Sequence, residues 1–371
     1  MKKILLFLVL TTCLCCCQRE PTTWMKCGQS QRKIGFNSIT LEKVLLDSVH
    51  TSFCGFSGIY QGRQLFFYDG YFGFLYLFDG DGAFEQRLLG LGRGPAEVLI
   101  PGAKDGAVDS NGDLCILGST MDFETFDAGK QQTNYIQFAY QPDKEANPEN
   151  FFNYSYSDPN IQARYRDGKF YVNLFSERPD YNHFDNQADF INSSYRVGVV
   201  DPGKKTTRMI VRGFPPIYHE NVPKYAAFDL VNPEFSGDDL LINFEADSTI
   251  YRCSIDGNPK SAFGVAGRGM DQDYLNTKGF NEQTIKNYMV NRSTKGYYHK
   301  MTAVGNKLFR SYIRGVAAEN DGLQIYDKDV LIGDVDVPKG FRVAGEINGM
   351  FYSEIIADAD SGEMYCYRFR L

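Results

Sequence analysis

The chain is predicted to be all-β, a six-bladed β-propeller of four-stranded antiparallel blades. Two recurrences and one gap carry that prediction. A tight polar turn leads into a short apolar strand six times: Gly62-Arg-Gln-Leu-Phe-Phe, Asn111-Gly-Asp-Leu-Cys-Ile, Asp167-Gly-Lys-Phe-Tyr-Val, Gly237-Asp-Asp-Leu-Leu-Ile, Gly305-Asn-Lys-Leu-Phe and Asn348-Gly-Met-Phe-Tyr. Between these copies an apolar strand runs into Asp and a turn five times: Leu75-Tyr-Leu-Phe-Asp79, Phe123-Glu-Thr-Phe-Asp127, Val197-Gly-Val-Val-Asp201, Tyr251-Arg-Cys-Ser-Ile-Asp256 and Leu323-Gln-Ile-Tyr-Asp327. The sixth copy of this second pattern, Met364 to Leu371, ends before its Asp turn.

Each unit is two successive hairpins, with Asn, Asp and Gly supplying the positive φ that tight turns demand. The turn glycines at 62, 112, 168, 237, 305 and 349 are 50, 56, 69, 68 and 44 residues apart, close to or above the roughly 40 to 50 residues of a propeller blade. The sixth blade then lacks its outermost strand. A strand-like segment, Ser38-Ile-Thr-Leu-Glu-Lys-Val-Leu-Leu46, stands unpaired ahead of the first blade. It is expected to supply the missing strand and close the ring, covering an edge that would otherwise be open.

Composition fits this fold. Of 371 residues, 43% are hydrophobic and 15% aromatic, with 36 glycines, which suits a large core of strands joined by turns. One domain, residues 34–371, is expected, because the recurrence runs nearly end to end.

The first elements in the chain are not part of that domain. Met1 to Cys17 combine two lysines with an apolar run too short to span a bilayer, the pattern of a secretory signal. Its end, Leu14-Cys15-Cys16-Cys17, resembles a bacterial lipobox, with Leu three positions before the cysteine that becomes the lipidated N-terminus. The resemblance implies a signal peptide at 1–16, lipidation of Cys17, a polar tether at 17–33 and attachment to the membrane through that lipid. The expected location is the bacterial cell envelope, at the outer membrane, on its periplasmic or surface face. A soluble periplasmic protein is the alternative.

Loss of Lys2 and Lys3 would move the formal net charge from −7 to −9. With no Lys/Arg-rich run to neutralise phosphates, nucleic acid is not an expected partner. Cys27, Cys54, Cys115, Cys253 and Cys366 contain no C-x-x-C pair and no zinc-like spacing. The last three sit in apolar strand patterns and are expected to be buried; Cys27 and Cys54 leave a disulfide open.

Blade topology assigns faces to the loops. First-to-second and third-to-fourth turns share one face; second-to-third turns and blade-to-blade crossings share the other. Every turn of the first kind is short, whereas long segments fall near 141–160, 176–194, 213–225 and 270–299, all on the second face. Apolar residues at 285, 288 and 289 predict one short helix over 281–292.

The stretches Phe78-Asp79-Gly-Asp-Gly82-Ala-Phe84, Gly90-Leu-Gly-Arg-Gly-Pro-Ala-Glu97 and Val108-Asp-Ser-Asn-Gly-Asp-Leu114 give the chain a resemblance to bacterial six-bladed β-propeller lipoproteins related to the TolB-like and NHL-repeat propellers. It covers about residues 34–371. It implies the fold and no catalytic residue, since propellers host lactonases, lyases, dehydrogenases and pure binding proteins.

Candidate binding residues therefore come from the second face. Gly90-Leu-Gly-Arg-Gly94 and Gly264-Val-Ala-Gly-Arg-Gly269 place Arg93 and Arg268 in Gly-rich loops that could cradle an anion or brace the next blade. The insertions carry Tyr154, Tyr156, His183, Tyr218, His219 and Tyr274, residues that stack on sugars or grip peptides, or simply anchor long loops to the rim. The Asp-rich turns at 79–82, 109–113 and 358–363 complete no calcium loop, and the four histidines form no metal motif. No pattern assigns a cofactor.

The leading expectation is a lipid-anchored propeller that binds a glycan, a peptide or an envelope protein on its insertion-bearing face, without catalysis. It requires Tyr154, Tyr218 and Arg268 to share one face. A carbohydrate-active or lactonase-type enzyme would instead show channel carboxylates converging on a divalent cation. A scaffold for envelope proteins would show a large exposed apolar patch.

Overall fold

Turn chemistry sets the hairpins. All six turn glycines have positive φ, which an L side chain resists and glycine does not. At 167–168 and 348–349 both central residues are left-handed, while Gly237 and Gly305 lead their pairs, the two turn types whose twist matches that of paired strands. Asp79, Asp109 and Asp358 each accept backbone N–H groups two to four residues on. These carboxylates close turns.

The computed structural model describes residues 22–25 and 31–371, apart from 110, 139–140, 142, 145–146, 156–160, 177, 179 and 186. The expected signal peptide, Cys17, Cys27 and Tyr156 lie outside the described residues. Six sheets, at residues 55–89, 105–137, 163–212, 231–263, 297–337 and 343–369, form blades 1 to 6. The first strand of each lies beside the first strand of the next, and blade 6 meets blade 1. The innermost strands thus form a closed ring around a central channel.

Two N-terminal strands wrap the outside. Strand β1 (Arg32–Phe36) runs parallel to the outer strand of blade 5, an addition the sequence did not announce. Strand β2 (Glu42–Leu45) pairs antiparallel with Glu363–Phe369, Val44 opposite Cys366, and completes blade 6. This is the closure expected of Ser38–Leu46. Val44 and Leu46 are buried, and Arg368 grips Glu42 with Nη2 at 2.7 Å and Nε at 2.9 Å.

Aromatic pairs weld adjacent blades: Phe123 on Phe170, Phe263 on Tyr326 and Phe309 on Phe351, with ring centroids 4.9–5.5 Å apart. Such pairs add about 0.5–1.5 kcal/mol each beyond their buried area. Cys115, Cys253 and Cys366 are buried within this core as expected, and Cys54 is exposed.

Among the described residues the α-helices interrupt only second-face connections of blades 3 to 5: α1 (Gln187–Ser193), α2 (Pro216–Glu220), α3 (Val222–Tyr225) and α4 (Glu282–Thr294); a 3-10 turn, Phe151–Asn153, lies in the crossing from blade 2 to blade 3. Only α4 was expected. It starts on a capping box in which Asn281 accepts from the Thr284 N–H and Thr284 accepts from the Asn281 N–H. The three missed helices are too short for a periodicity, although prolines open α2 and α3. Of the apolar residues whose spacing betrayed α4, only Tyr288 packs inward. Ile285 and Met289 face solvent, and buried Asn291 adds a polar anchor by bonding the N–H and C=O of Leu275.

Candidate functional site: the mouth of the central channel

First strands run from the second face to the first, so their opening residues surround the second-face mouth of the channel. There they line a cavity of about 350 Å³, within the range of small-molecule sites. Blades 1, 2, 3, 5 and 6 contribute to its wall, and blade 4 does not.

The charged groups on the wall are Lys104, Asp105, Arg164, Lys300, Arg342 and Glu354. Lys300 Nζ pairs with Glu354 Oε1, and Arg342 Nη1 lies 3.5 Å from Glu354 Oε2. Burial alone would raise the Glu354 carboxyl, but Lys300 and Arg342 outweigh it and hold it below the ordinary value. Asp105 goes the other way. Burial raises its carboxyl against the pull of Lys300 and Arg164, and it accepts the Ala163 N–H.

Arg164 bridges the innermost strands of blades 3, 4 and 5. Its Nε donates to Glu234 Oε2 at 3.0 Å, while Nη1 and Nη2 donate to the carbonyls of Ala163 and Met301. Gln162 spans beside it to Asn232 and the His299 carbonyl. Among the described residues, no three His, Cys, Asp or Glu side chains converge as metal ligands.

The sequence-predicted residues lie elsewhere on the same face. Tyr154, Tyr218 and Arg268 all sit in blade-to-blade crossings, so the requirement placed on them is met. Tyr154 donates to the Pro148 carbonyl and accepts the Tyr195 N–H. Tyr218, fully buried, donates to the Phe228 carbonyl and accepts the Ala246 N–H. Tyr274 donates to the Gly296 carbonyl. These hydroxyls tie the insertions to themselves and to the ring.

His183 is buried, with Nδ1 3.5 Å from Asp229 and its ring stacked on Tyr288. His219 meets the Phe214 carbonyl and lines a groove with Thr22 and Trp24. Arg268 pairs with Asp336 of blade 5, and its backbone exchanges bonds with the Tyr312 hydroxyl, contacts that brace the next blade. Arg93 is exposed. None of these residues lines the channel cavity.

Sequence reasoning missed the mouth because its charges belong to no motif. A signal was present. Arg164, Lys300, Asp105 and Arg342 stand 4, 5, 7 and 7 residues ahead of turn glycines, charges placed where a first strand should be facing the ring's interior.

No family model matches the chain, and no curated protein matches it. Solved structures do match. A DUF4221 family member from Bacteroides vulgatus superposes with a TM-score of 0.63 at 12% identity, over 90% of this chain and 98% of that one. A protein from Bacteroides fragilis described as exported superposes with a TM-score of 0.53 at 13% identity, over 92% and 98%. At these identities the likeness speaks for the six-bladed fold alone.

Proposed function

We propose that this protein is a lipid-anchored extracytoplasmic propeller, of the TolB-like and NHL-repeat kind, that binds an acidic ligand in the mouth of its channel. The ligand class is a glycan or peptide bearing a carboxylate. One observation carries the reading: four cations, Lys104, Arg164, Lys300 and Arg342, line the cavity with two carboxylates, and even with Arg164 paired to Glu234 the cations outnumber the carboxylates, in a chain whose net charge is −7. Local charge of the sign opposite to the whole protein is what an anion site requires, and guanidinium groups grip carboxylates in paired bonds. Binding needs no catalytic group, and both wall carboxylates are already engaged with cations or backbone N–H. The Lys300–Glu354–Arg342 cluster supplies selectivity, because an incoming carboxylate must compete with Glu354 for the same two cations.

The lipid anchor rests on the Leu14–Cys17 sequence, and the description of the similar Bacteroides fragilis protein as exported is in keeping with it. Mass spectrometry of the mature N-terminus tests the anchor; an unmodified Cys17 or a cut elsewhere refutes it. Glycan and peptide arrays carrying acidic and neutral members test the ligand class. The expected hits are acidic and weaken in Lys104→Ala and Arg342→Gln. Neutral hits, or acidic hits indifferent to both changes, refute the site.

A further inference from the structure

Among the described residues fourteen large apolar side chains are exposed, and six of them gather around one crossing: Leu275, Phe280, Ile285, Met289, Val290 and, bonded through its N–H to the Thr294 carbonyl, Val316. Phe280 is 67%, Met289 60% and Val316 69% exposed. Clustered exposure of this kind marks a surface that something covers.

What covers it is indicated by the path of the N-terminus. Thr22 exchanges two hydrogen bonds with the backbone of Arg212, at 3.2 and 2.9 Å, where the outer strand of blade 3 ends on the second face. Trp24 packs on Phe244 and Tyr251 of blade 4, with centroids 5.1 and 4.6 Å away. Next to Phe244, Glu245 accepts from Arg292 of α4 at 2.7 Å. A single turn of blade 4 therefore joins the tether to the helix that bears the apolar cluster. Thr22 is only five steps along the chain from Cys17. Fully extended they reach about 17 Å, so a lipid on Cys17 must enter its bilayer close to the edge of the second face.

We infer that the apolar cluster around α4 rests on the surface of the bilayer that holds the Cys17 lipid, fixing the propeller's orientation on it. The inference depends on the lipid anchor proposed above. Such an anchor holds the chain at a bilayer, and an apolar surface beside it adds to the attachment in proportion to the area it buries. The partner is the interfacial zone of the membrane; a second copy of the chain or another protein are the competing occupants.

The test uses the full acylated protein in phosphatidylcholine vesicles with brominated acyl chains. In a Trp24→Phe background, one variant carries Met289→Trp on the cluster and another Asp238→Trp on a turn of the opposite face, both at exposed positions. The expected result is quenching of the residue 289 indole several-fold stronger than that of the residue 238 indole. Equal quenching, or none at 289, overturns the inference while leaving the anchor intact. A chain without an acyl group on Cys17 by mass spectrometry overturns both together. A residue 289 indole that is unquenched by lipid and shielded in a sedimenting dimer assigns the cluster to a second copy and refutes the membrane contact.

Discussion

Replacing Glu354 by Gln should lower stability and raise affinity for an acidic ligand, two effects of opposite sign from the loss of one negative charge. Glu354 is one-fifth exposed, as is its partner Lys300, and Arg342 stands 3.5 Å away. Breaking a fully buried pair costs about 3–5 kcal/mol; partial solvation and the more exposed Arg342 reduce that to ~2 kcal/mol here. The effect on binding comes from the same charge. A carboxylate ligand lying about 5 Å from Glu354 feels a repulsion of ~3 kcal/mol at an effective dielectric constant of 20 and ~1 kcal/mol in water. Removing it should tighten binding by roughly 5- to 100-fold, since each 1.4 kcal/mol is tenfold.

Denaturant unfolding and calorimetric titration with an acidic ligand from the arrays read the two effects separately. The pH dependence adds a third check. The fold holds the Glu354 carboxyl below its ordinary value, so its share of stability is present at neutral pH, above the unfolded-state value of about 4.3. It is lost as pH falls through the folded value, and the deficit of Glu354→Gln should shrink there. A variant that unfolds as wild type does, or binds the acidic ligand more weakly, refutes the account of the mouth.

Val44→Ala removes two buried methyl groups from the closing strand, at a cost of ~2 kcal/mol with the cavity left behind. For about 340 folded residues the melting temperature should fall by ~3 °C, read by scanning calorimetry; no shift would mean that β2 does not hold the ring. Tyr218→Phe strands the Ala246 N–H and the Phe228 carbonyl, costing about 1–3 kcal/mol in denaturant unfolding. It should leave ligand affinity unchanged, because the residue anchors an insertion away from the cavity. Of Cys54, Cys115, Cys253 and Cys366, only Cys54 should react with iodoacetamide in the native protein. The others are buried, and burial pushes the Cys253 and Cys366 thiols up to about 12, leaving almost no thiolate; peptide mapping would show any exception.

The fold was legible because its decisive signals are local. A turn such as Asp167-Gly168 declares itself within two residues, since its backbone conformation admits few others, and the missing last strand followed from counting strands in Met364–Leu371. The parity of the turns needed no tertiary information either, and it put the helices on the right face. The channel mouth has no such signature. Lys300 and Glu354 are 54 residues apart, and Arg164 and Glu234 are 70. Each is an ordinary surface-type residue until ring closure brings the first strands together. The aromatic insertions carry a second requirement: Tyr154, Tyr218 and Tyr274 have the composition of a binding surface, but a long loop without strands of its own must also satisfy its backbone groups somewhere. Their hydroxyls do that.

The two proposals together would divide the second face between two tasks. The connections of blades 3 to 5 carry all four helices, the docked Thr22 and Trp24 and the apolar cluster around α4. The connections leading into blades 1, 2 and 6 are without helices, and there the cavity opens between Lys104, Arg342 and Glu354. A propeller ring is rotationally repetitive, so nothing in the fold itself demands this asymmetry. It arises because the insertions are long only on one side and the tether runs past that side. An apolar, helix-bearing half beside the lipid and a charged, open half beside it would hold the protein at a membrane without covering its site. The division therefore predicts independence: losing the α4 contact should change how the protein sits on vesicles and leave its affinity for an acidic ligand intact, whereas Arg342→Gln should do the reverse.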